Sequence, residues 1–237
     1  MLVLGLETAT DKASLALVEG EGVLAQRVLD ARGELVRRLI PALDEALRDV
    51  GRGLDDVGLI AVGRGPGSFT GVRIGVATGK ALAQARDLPI VGVSTLEACA
   101  WSMRALSEGV LCPVLRSRRD SVYAAIHRGR ENLTGDLHLR AAELADRLNA
   151  LGEPVLMGGH ARALWDELFA GRFRVEARLT PEEVLMPSAE AVARLGAERL
   201  AAQGADDALT LAPVYLRPPG VTLSKKKRLR PERGSHG

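Results

Sequence analysis

The chain has 237 residues, 46% hydrophobic and 26% charged, a balance that folds as a globular protein of one large domain or two small ones. Its two cysteines (Cys99, Cys112) and four histidines (His127, His138, His160, His236) show no C-x-x-C, H-x-x-x-H or zinc-finger spacing. That argues against a metal site, a thiol redox site or a His-based triad, while one disulfide stays open. The net charge of +2 is uneven: residues 217–237 carry seven basic residues and one acidic residue, a tail of +6 that leaves −4 on residues 1–216.

Strands are predicted at 2–6, 13–18 and 23–29, joined by the polar turns Glu7–Lys12 and Glu19–Gly22 as an opening β-meander. Residues 34–50 switch to helical spacing, with Leu35, Leu39, Leu43 and Leu47 among the apolar positions, and Gly51 and Gly53 end the helix. A strand at 57–62, a glycine-rich loop, a helix at 69–86 and a strand at 89–93 follow. Ser94-Thr95-Leu96-Glu97 reads as a capping box that opens a helix over 95–106. Residues 110–129 repeat the opening in pattern, with strands at 111–115 and 122–126 about a polar turn at 116–120. Helices at 140–151, 161–170 and 188–203 and strands at 155–157, 173–177 and 209–211 complete the chain. The expected organisation is two related α/β halves, 1–107 and 108–216, followed by a basic tail, 217–237, of disordered composition. The tail is either a solubilising extension or a salt-sensitive attraction for RNA.

The chain has seven aromatic residues, Phe69, Trp101, Tyr123, Trp165, Phe169, Phe173 and Tyr215. Its core is therefore mostly aliphatic, and a base-stacking platform for single-stranded nucleic acid is not expected. The N-terminus meets Glu7 without a basic n-region, and no uncharged run approaches the ~20 residues of a membrane span. A cytoplasmic setting without membrane contact is the expectation.

Gly63-Arg64-Gly65-Pro66-Gly67-Ser68-Phe69-Thr70-Gly71 lies between a strand and a helix, where backbone N–H groups can cradle an anion. It lacks the lysine of a Walker A loop, the third glycine of a dinucleotide fingerprint and the G-x-S-x-G pattern of a nucleophile elbow. Its alternative role is a tight turn that brings strand and helix together. In the following helix Gly71, Gly75 and Gly79 recur every four residues, and Ala77, Ala81 and Ala85 form a second such row. Glycine costs about 1 kcal/mol each relative to alanine inside a helix, so the glycine row implies close packing, on the chain's own sheet or on a partner subunit. The turn Glu7-Thr8-Ala9-Thr10 resembles the phosphate-gripping hairpin of the actin, sugar-kinase and Hsp70 ATPases, with Glu7 in place of Asp and Ala9 in place of Gly. Both changes weaken a case for ATP hydrolysis.

LVLGLETATDKASLAL, GRGPGSFTGVRIGVATGKALA, PIVGVSTLEACA and APVYLR together resemble the bacterial TsaB family, also called YeaZ, from Met1 to about Arg217. The resemblance implies an actin-like ATPase fold of two βββαβα-type halves. It also implies a non-catalytic partner of the paralogue TsaD that, with the ATPase TsaE, serves threonylcarbamoylation of adenosine 37 in ANN-decoding tRNAs. TsaD-type subunits carry an H-x-E-G-H-like metal stretch, and here Thr95 and Cys99 replace its two histidines. The resemblance therefore implies no catalytic residue, no metal and no cofactor required by this chain, with ATP or ADP belonging to the complex. It implies a heterodimer with TsaD, or a homodimer without it, through the helices at 34–50 and 69–86. The interface residues expected are Leu35, Leu39, Leu43, Gly71, Val72, Gly75, Val76 and Gly79. Glu7, Thr8, Thr10, Gly65, Gly67 and Ser68 are the expected remnant of a nucleotide site, and tRNA is reached indirectly, through the complex. Two elements depart from the family: Leu35-Val36-Arg37 stands where many members have His-Ser-Glu. Arg116-Ser117-Arg118-Arg119-Asp120-Ser121-Val122-Tyr123 stands for Asp-Ala-Arg…Glu-Val-Tyr and loses its two acids. The competing expectations are a weak ATPase or kinase of the same superfamily and a metallopeptidase.

Overall fold

Residues 1–31, 33–181 and 186–216 are described by the computed structural model. Strands β1 (Leu2–Glu7) and β2 (Lys12–Glu19) are buried along nearly their whole length, and this is why they read as continuous apolar runs. β3 (Gly22–Asp30) closes the meander as an edge strand. Helix α1 (Leu35–Asp49), strand β4 (Val57–Gly63), helix α2 (Phe69–Arg86) and strand β5 (Ile90–Val93) follow, within one residue of their predicted bounds. The five strands lie in the order β3-β2-β1-β4-β5, with β1, β4 and β5 parallel. α1 and α2 cover one face, where Leu35, Leu39, Leu43, Val72 and Val76 pack on Leu4, Leu6, Leu15, Leu17, Ile60 and Val62.

Helix α3 (Thr95–Met103) begins with Ser94 accepting the Glu97 N–H at 3.3 Å. The expected box closes on this side, while the Glu97 carboxylate is engaged by Arg199 from the far end of the chain. The second sheet is built from β6 (Val110–Arg116), β7 (Ser121–Ala124), β8 (His127–Arg128), β9 (Glu131–Asn132), β10 (Leu137–Arg140), β11 (Val155–Gly159) and β12 (Ala177–Leu179). Its path β10-β7-β6-β11-β12 repeats the order and strand directions of the first sheet. Helix α4 (Ala141–Leu151) and helix α5 (Ala161–Leu164), which runs into a π-turn at Trp165–Phe169, pack with this sheet around Leu144, Leu148, Leu164 and Phe169. Both cysteines are buried.

Several expectations are corrected. β8, β9 and β10 have no predicted counterpart, because strands of two to four residues are too short for an alternating pattern to emerge. The strand expected at 173–177 forms at 177–179, since the Asn149 side chain takes the N–H groups of Arg174 (2.6 Å) and Val175 (3.3 Å) that a strand partner would need. Residues 209–211 turn instead of extending, because Asp207 accepts the Leu209 N–H at 2.8 Å. The largest correction concerns the half expected at 108–216. Helix α6 (Ala189–Gln203) returns to the first sheet and covers its second face, placing Ala189, Val192, Ala193 and Leu195 on Val3, Ala16, Val18, Leu59, Ala61 and Val91. Gly5 and Gly196 permit this approach, since a Cβ at either would overlap the facing backbone or side chain. Residues 206–216 then run as a strap over the same half, held by Lys80 to the carbonyls of Leu209 (3.1 Å) and Leu211 (3.0 Å) and by Val214 N–H to the Arg64 carbonyl at 2.7 Å. The basic tail, 217–237, lies outside the described residues.

Candidate functional site

The β1–β2 turn and the glycine-rich loop meet where an actin-like protein would hold phosphate. Glu7 ends β1 fully buried. Its carboxylate accepts the Ala9 N–H at 2.7 Å and the Thr95 hydroxyl at 3.0 Å. Gly63 packs so closely on that carboxylate that a Cβ would overlap it. Burial raises the Glu7 pKa from its ordinary value to about 7, against the hydrogen bonds that favour the charge.

The loop folds down onto the turn. The Ser68 N–H donates to the Ala9 carbonyl at 2.7 Å, and the Ser68 hydroxyl caps α2 by accepting the Gly71 N–H at 3.2 Å. A Cβ at Gly67 would overlap Ala9, one at Gly71 would overlap the Thr8 carbonyl, and one at Gly75 would overlap the Thr8 hydroxyl. That hydroxyl donates to the Gly71 carbonyl at 2.9 Å. The loop thus packs as a tight turn on the β1–β2 hairpin, with the N–H groups of Arg64, Ser68 and Gly71 bonded within the chain and no room for a Cβ at Gly67 or Gly71. Of the expected nucleotide remnant, Thr10, Gly67 and Ser68 line a cleft, whereas Glu7 and Thr8 are sealed beneath the loop and Gly65 lies behind it, accepting the Thr95 N–H at 2.9 Å. Glu7 and Thr8 are therefore closed off from a ligand in the cleft, whereas Thr10, Gly67 and Ser68 face it.

Nor do Thr95 and Cys99 fit a metal. The Thr95 hydroxyl is committed to Glu7, and burial, with the Glu7 charge second, pushes the Cys99 thiol up to about 12, which keeps it protonated. Among the described residues no group of three or more His, Cys, Asp or Glu side chains is placed to hold a metal ion.

The cleft between the two halves has a volume of about 640 Å³. Thr10, Asp11, Ser68 and Phe69 form its first-half wall, Arg116, Ser117, Arg118, Tyr123 and His160 its second-half wall, and Tyr215 of the strap stands at its side. His160 Nδ1 accepts the Arg116 N–H at 2.9 Å, which leaves the ring proton of the neutral form on Nε2. Burial holds His160 below its ordinary pKa, opposed by Asp11 and helped by Arg116. Phe69 and Tyr215 lie 4.9 Å apart, and the Arg73 guanidinium sits 3.8 Å over the Phe69 ring and donates to the Tyr215 hydroxyl at 2.9 Å. Three of the seven aromatic residues therefore gather at this cleft, a convergence that their distant positions in the chain conceal.

The expected interface residues are corrected as well. Leu35, Leu39, Leu43, Gly71, Val72, Gly75, Val76 and Gly79 are all buried against the chain's own first half, the glycines on Thr8 and Val62. The exposed side of the two helices carries the apolar residues Val36 (68% exposed) and Ile40 (46%) on α1 and Ala77, Ala81 and Ala85 on α2, among charged ones such as Arg37, Arg38 and Arg73. The alanine row of the sequence thus faces outward and the glycine row inward.

Two sheets of like topology facing each other across a cleft define a protein of the actin-like ATPase fold, here with its phosphate hairpin filled in. The ROK hexokinase of Thermus thermophilus shares the fold alone, with a TM-score of 0.51 and 14% identity over 82% of this chain and 99% of that one. A family model described as TsaD, tRNA N6-adenosine threonylcarbamoyltransferase, matches residues 28–215. The tRNA threonylcarbamoyladenosine biosynthesis protein TsaB of Escherichia coli K12 is 34% identical over 92% of this chain and 95% of its own length. The structure of YeaZ from Pseudomonas aeruginosa matches with a TM-score of 0.77 and 26% identity over 91% of this chain and 99% of that one. The chain belongs to the TsaB (YeaZ) family, as its motifs implied.

Proposed function

We propose that this chain is the non-catalytic subunit that binds TsaD, in a larger complex with TsaE, and supports threonylcarbamoylation of adenosine 37 in ANN-decoding tRNAs. Its family's place in tRNA threonylcarbamoyladenosine biosynthesis supports the pathway. The observation that carries the non-catalytic role is the loop closed over a sealed Glu7, which keeps that carboxylate out of the cleft. The chain requires no cofactor of its own, and ATP or ADP acts elsewhere in the complex. TsaD docks on the face that exposes the apolar Val36, Ile40, Ala77 and Ala81. Without TsaD a second copy of the chain takes the same face.

The test is size-exclusion co-elution with TsaD from the same organism, followed by the tRNA modification assay with and without this chain. Val36→Asp with Ile40→Asp is expected to abolish co-elution and reduce modification at least tenfold, with the melting temperature nearly unchanged because both side chains are exposed. Modification that proceeds equally well without the chain overturns the reading.

A further inference from the structure

We propose that the exposed charges of α1 fix how two copies of this chain meet: the two α1 helices lie antiparallel across a two-fold axis near Ile40, with Arg37 of each copy against Asp44 of the other. The charged stripe begins at Glu34, the residue before the helix, and runs through Arg37 and Asp44 to Arg48, all four exposed. Arg37 and Asp44 stand seven residues apart, close to two turns, so they share one side of the helix about 10 Å from each other. Val36 and Ile40 lie beside them as exposed apolar residues. The charges therefore run acid, base, acid, base, and from the other end they run base, acid, base, acid. An antiparallel copy sets each charge against its opposite, Arg37 on Asp44 and Glu34 on Arg48, and the two-fold axis makes each pair twice. A parallel copy sets every charge against its own like, which opposes binding.

Two observations show that these charges are not spent within the chain. Arg37 makes no ion pair or side-chain hydrogen bond among the described residues. It also stands in the first turn of α1, where the helix dipole favours an acid, and that turn holds none. A carboxylate from outside the helix would offset both. Asp44 is paired with Arg48 at 3.2 Å, one turn along the same helix, and both side chains are exposed. A pair of that kind contributes little to a fold, so exchanging it for pairs across the axis loses little. Glu34 and Arg48 lie about 10 Å either side of the axis along the helix. Contact over the whole stripe therefore needs a shallow crossing, of the ~20° class. The face on which the copies meet rests on the proposed function. The antiparallel order rests on the charges alone.

The experiment is analytical ultracentrifugation of the full chain, without TsaD, over a concentration series at low and high salt. A reversible dimer that weakens with salt is expected. Arg37→Asp alone, or Asp44→Arg alone, should raise its dissociation constant at least tenfold, since each loses two pairs and creates two like-charge contacts. The two single variants mixed in equal amounts should form a heterodimer. The double variant, Arg37→Asp with Asp44→Arg, should recover most of the parent affinity, because opposite charges again meet. Melting temperatures measured on the monomer should stay nearly constant, as the substituted side chains are exposed. Parent-like dimerisation of both single variants overturns the proposal. So does a double variant as weak as the singles, or a chain that is monomeric at every concentration. Val36→Asp with Ile40→Asp separates the orientation from the face. A dimer lost there but indifferent to the charge variants overturns the orientation alone. A dimer that survives it overturns the face as well, and the co-elution test with TsaD then judges the subunit reading by itself.

Discussion

Glu7 and His127 are both fully buried, and their ionisation pulls stability in opposite directions as pH changes. The Glu7 pKa rises from 4.5 to about 7 on folding, chiefly through burial. Between those values the native state holds the extra proton, so this contribution is complete below pH 4.5 and is lost as pH rises to 7. His127 has neither ring nitrogen hydrogen-bonded among the described residues, and burial, then Arg104, lowers its pKa from 6.5 to about 4. Here the unfolded state holds the extra proton, so stability falls as pH drops from 6.5 to 4. Each shift corresponds to about 3 kcal/mol at about 1.4 kcal/mol per pKa unit, so the two largely cancel over the range they share. Single variants unmask them. Glu7→Gln keeps the contacts to Ala9 and Thr95, whose hydroxyl can also accept, and should leave stability rising with pH from 4 to 6.5. His127→Leu should leave it falling from 4.5 to 7. Urea unfolding across pH 4–8 reads both, and parallel curves for the variants and the parent would remove the two groups from the account.

At the scale of elements, Gly75 shows what a helix face conceals. Gly75→Ala places a methyl on the Thr8 hydroxyl and should destabilise the monomer by about 1–3 kcal/mol, the usual cost of overpacking. Loss of TsaD binding with unchanged stability would instead return Gly75 to the interface. Element existence was largely legible, since β1, β2 and β4 are buried runs and Ser68 and Ser94 stand as N-caps before their helices. Orientation was not. α1 carries Leu35, Leu39 and Leu43 on one stripe and Val36 and Ile40 on the adjacent one, so spacing names two apolar faces without ranking them. α2 poses the same question with glycine against alanine. The sheet beneath answers both, through the turn at Thr8 and the side chain of Val62. The candidate site was legible in its loop residues. Its filling was not, because the Ser68 to Ala9 bond joins segments that are distant in sequence.

At the scale of the whole molecule, the chain crosses back. The repeat of the opening pattern near residue 110 correctly signals a second sheet, yet it conceals that α6 completes the first. No local pattern carries that information, because an alanine-rich helix such as α6 fits either half equally well by composition. The Ser94 hydroxyl lies 2.9 and 2.8 Å from the two carboxylate oxygens of Asp136, a polar tie between the halves, and Arg199 on α6 pairs with Glu97 on α3 within the first. A fragment of residues 1–107 would leave Val3, Ala16, Val18, Leu59, Ala61 and Val91 uncovered, at roughly 25 cal/mol per Å² of apolar surface returned to water. It should therefore lack a cooperative thermal transition and aggregate. The same fragment joined through a flexible linker to residues 186–216 should regain one, because α6 and the strap restore the second face and the contacts to Lys80 and Arg64. The intact chain should unfold in a single transition by calorimetry, with equal calorimetric and van't Hoff enthalpies. Independent melting of 1–107 would mean that the first half carries its own core and that α6 only docks on it.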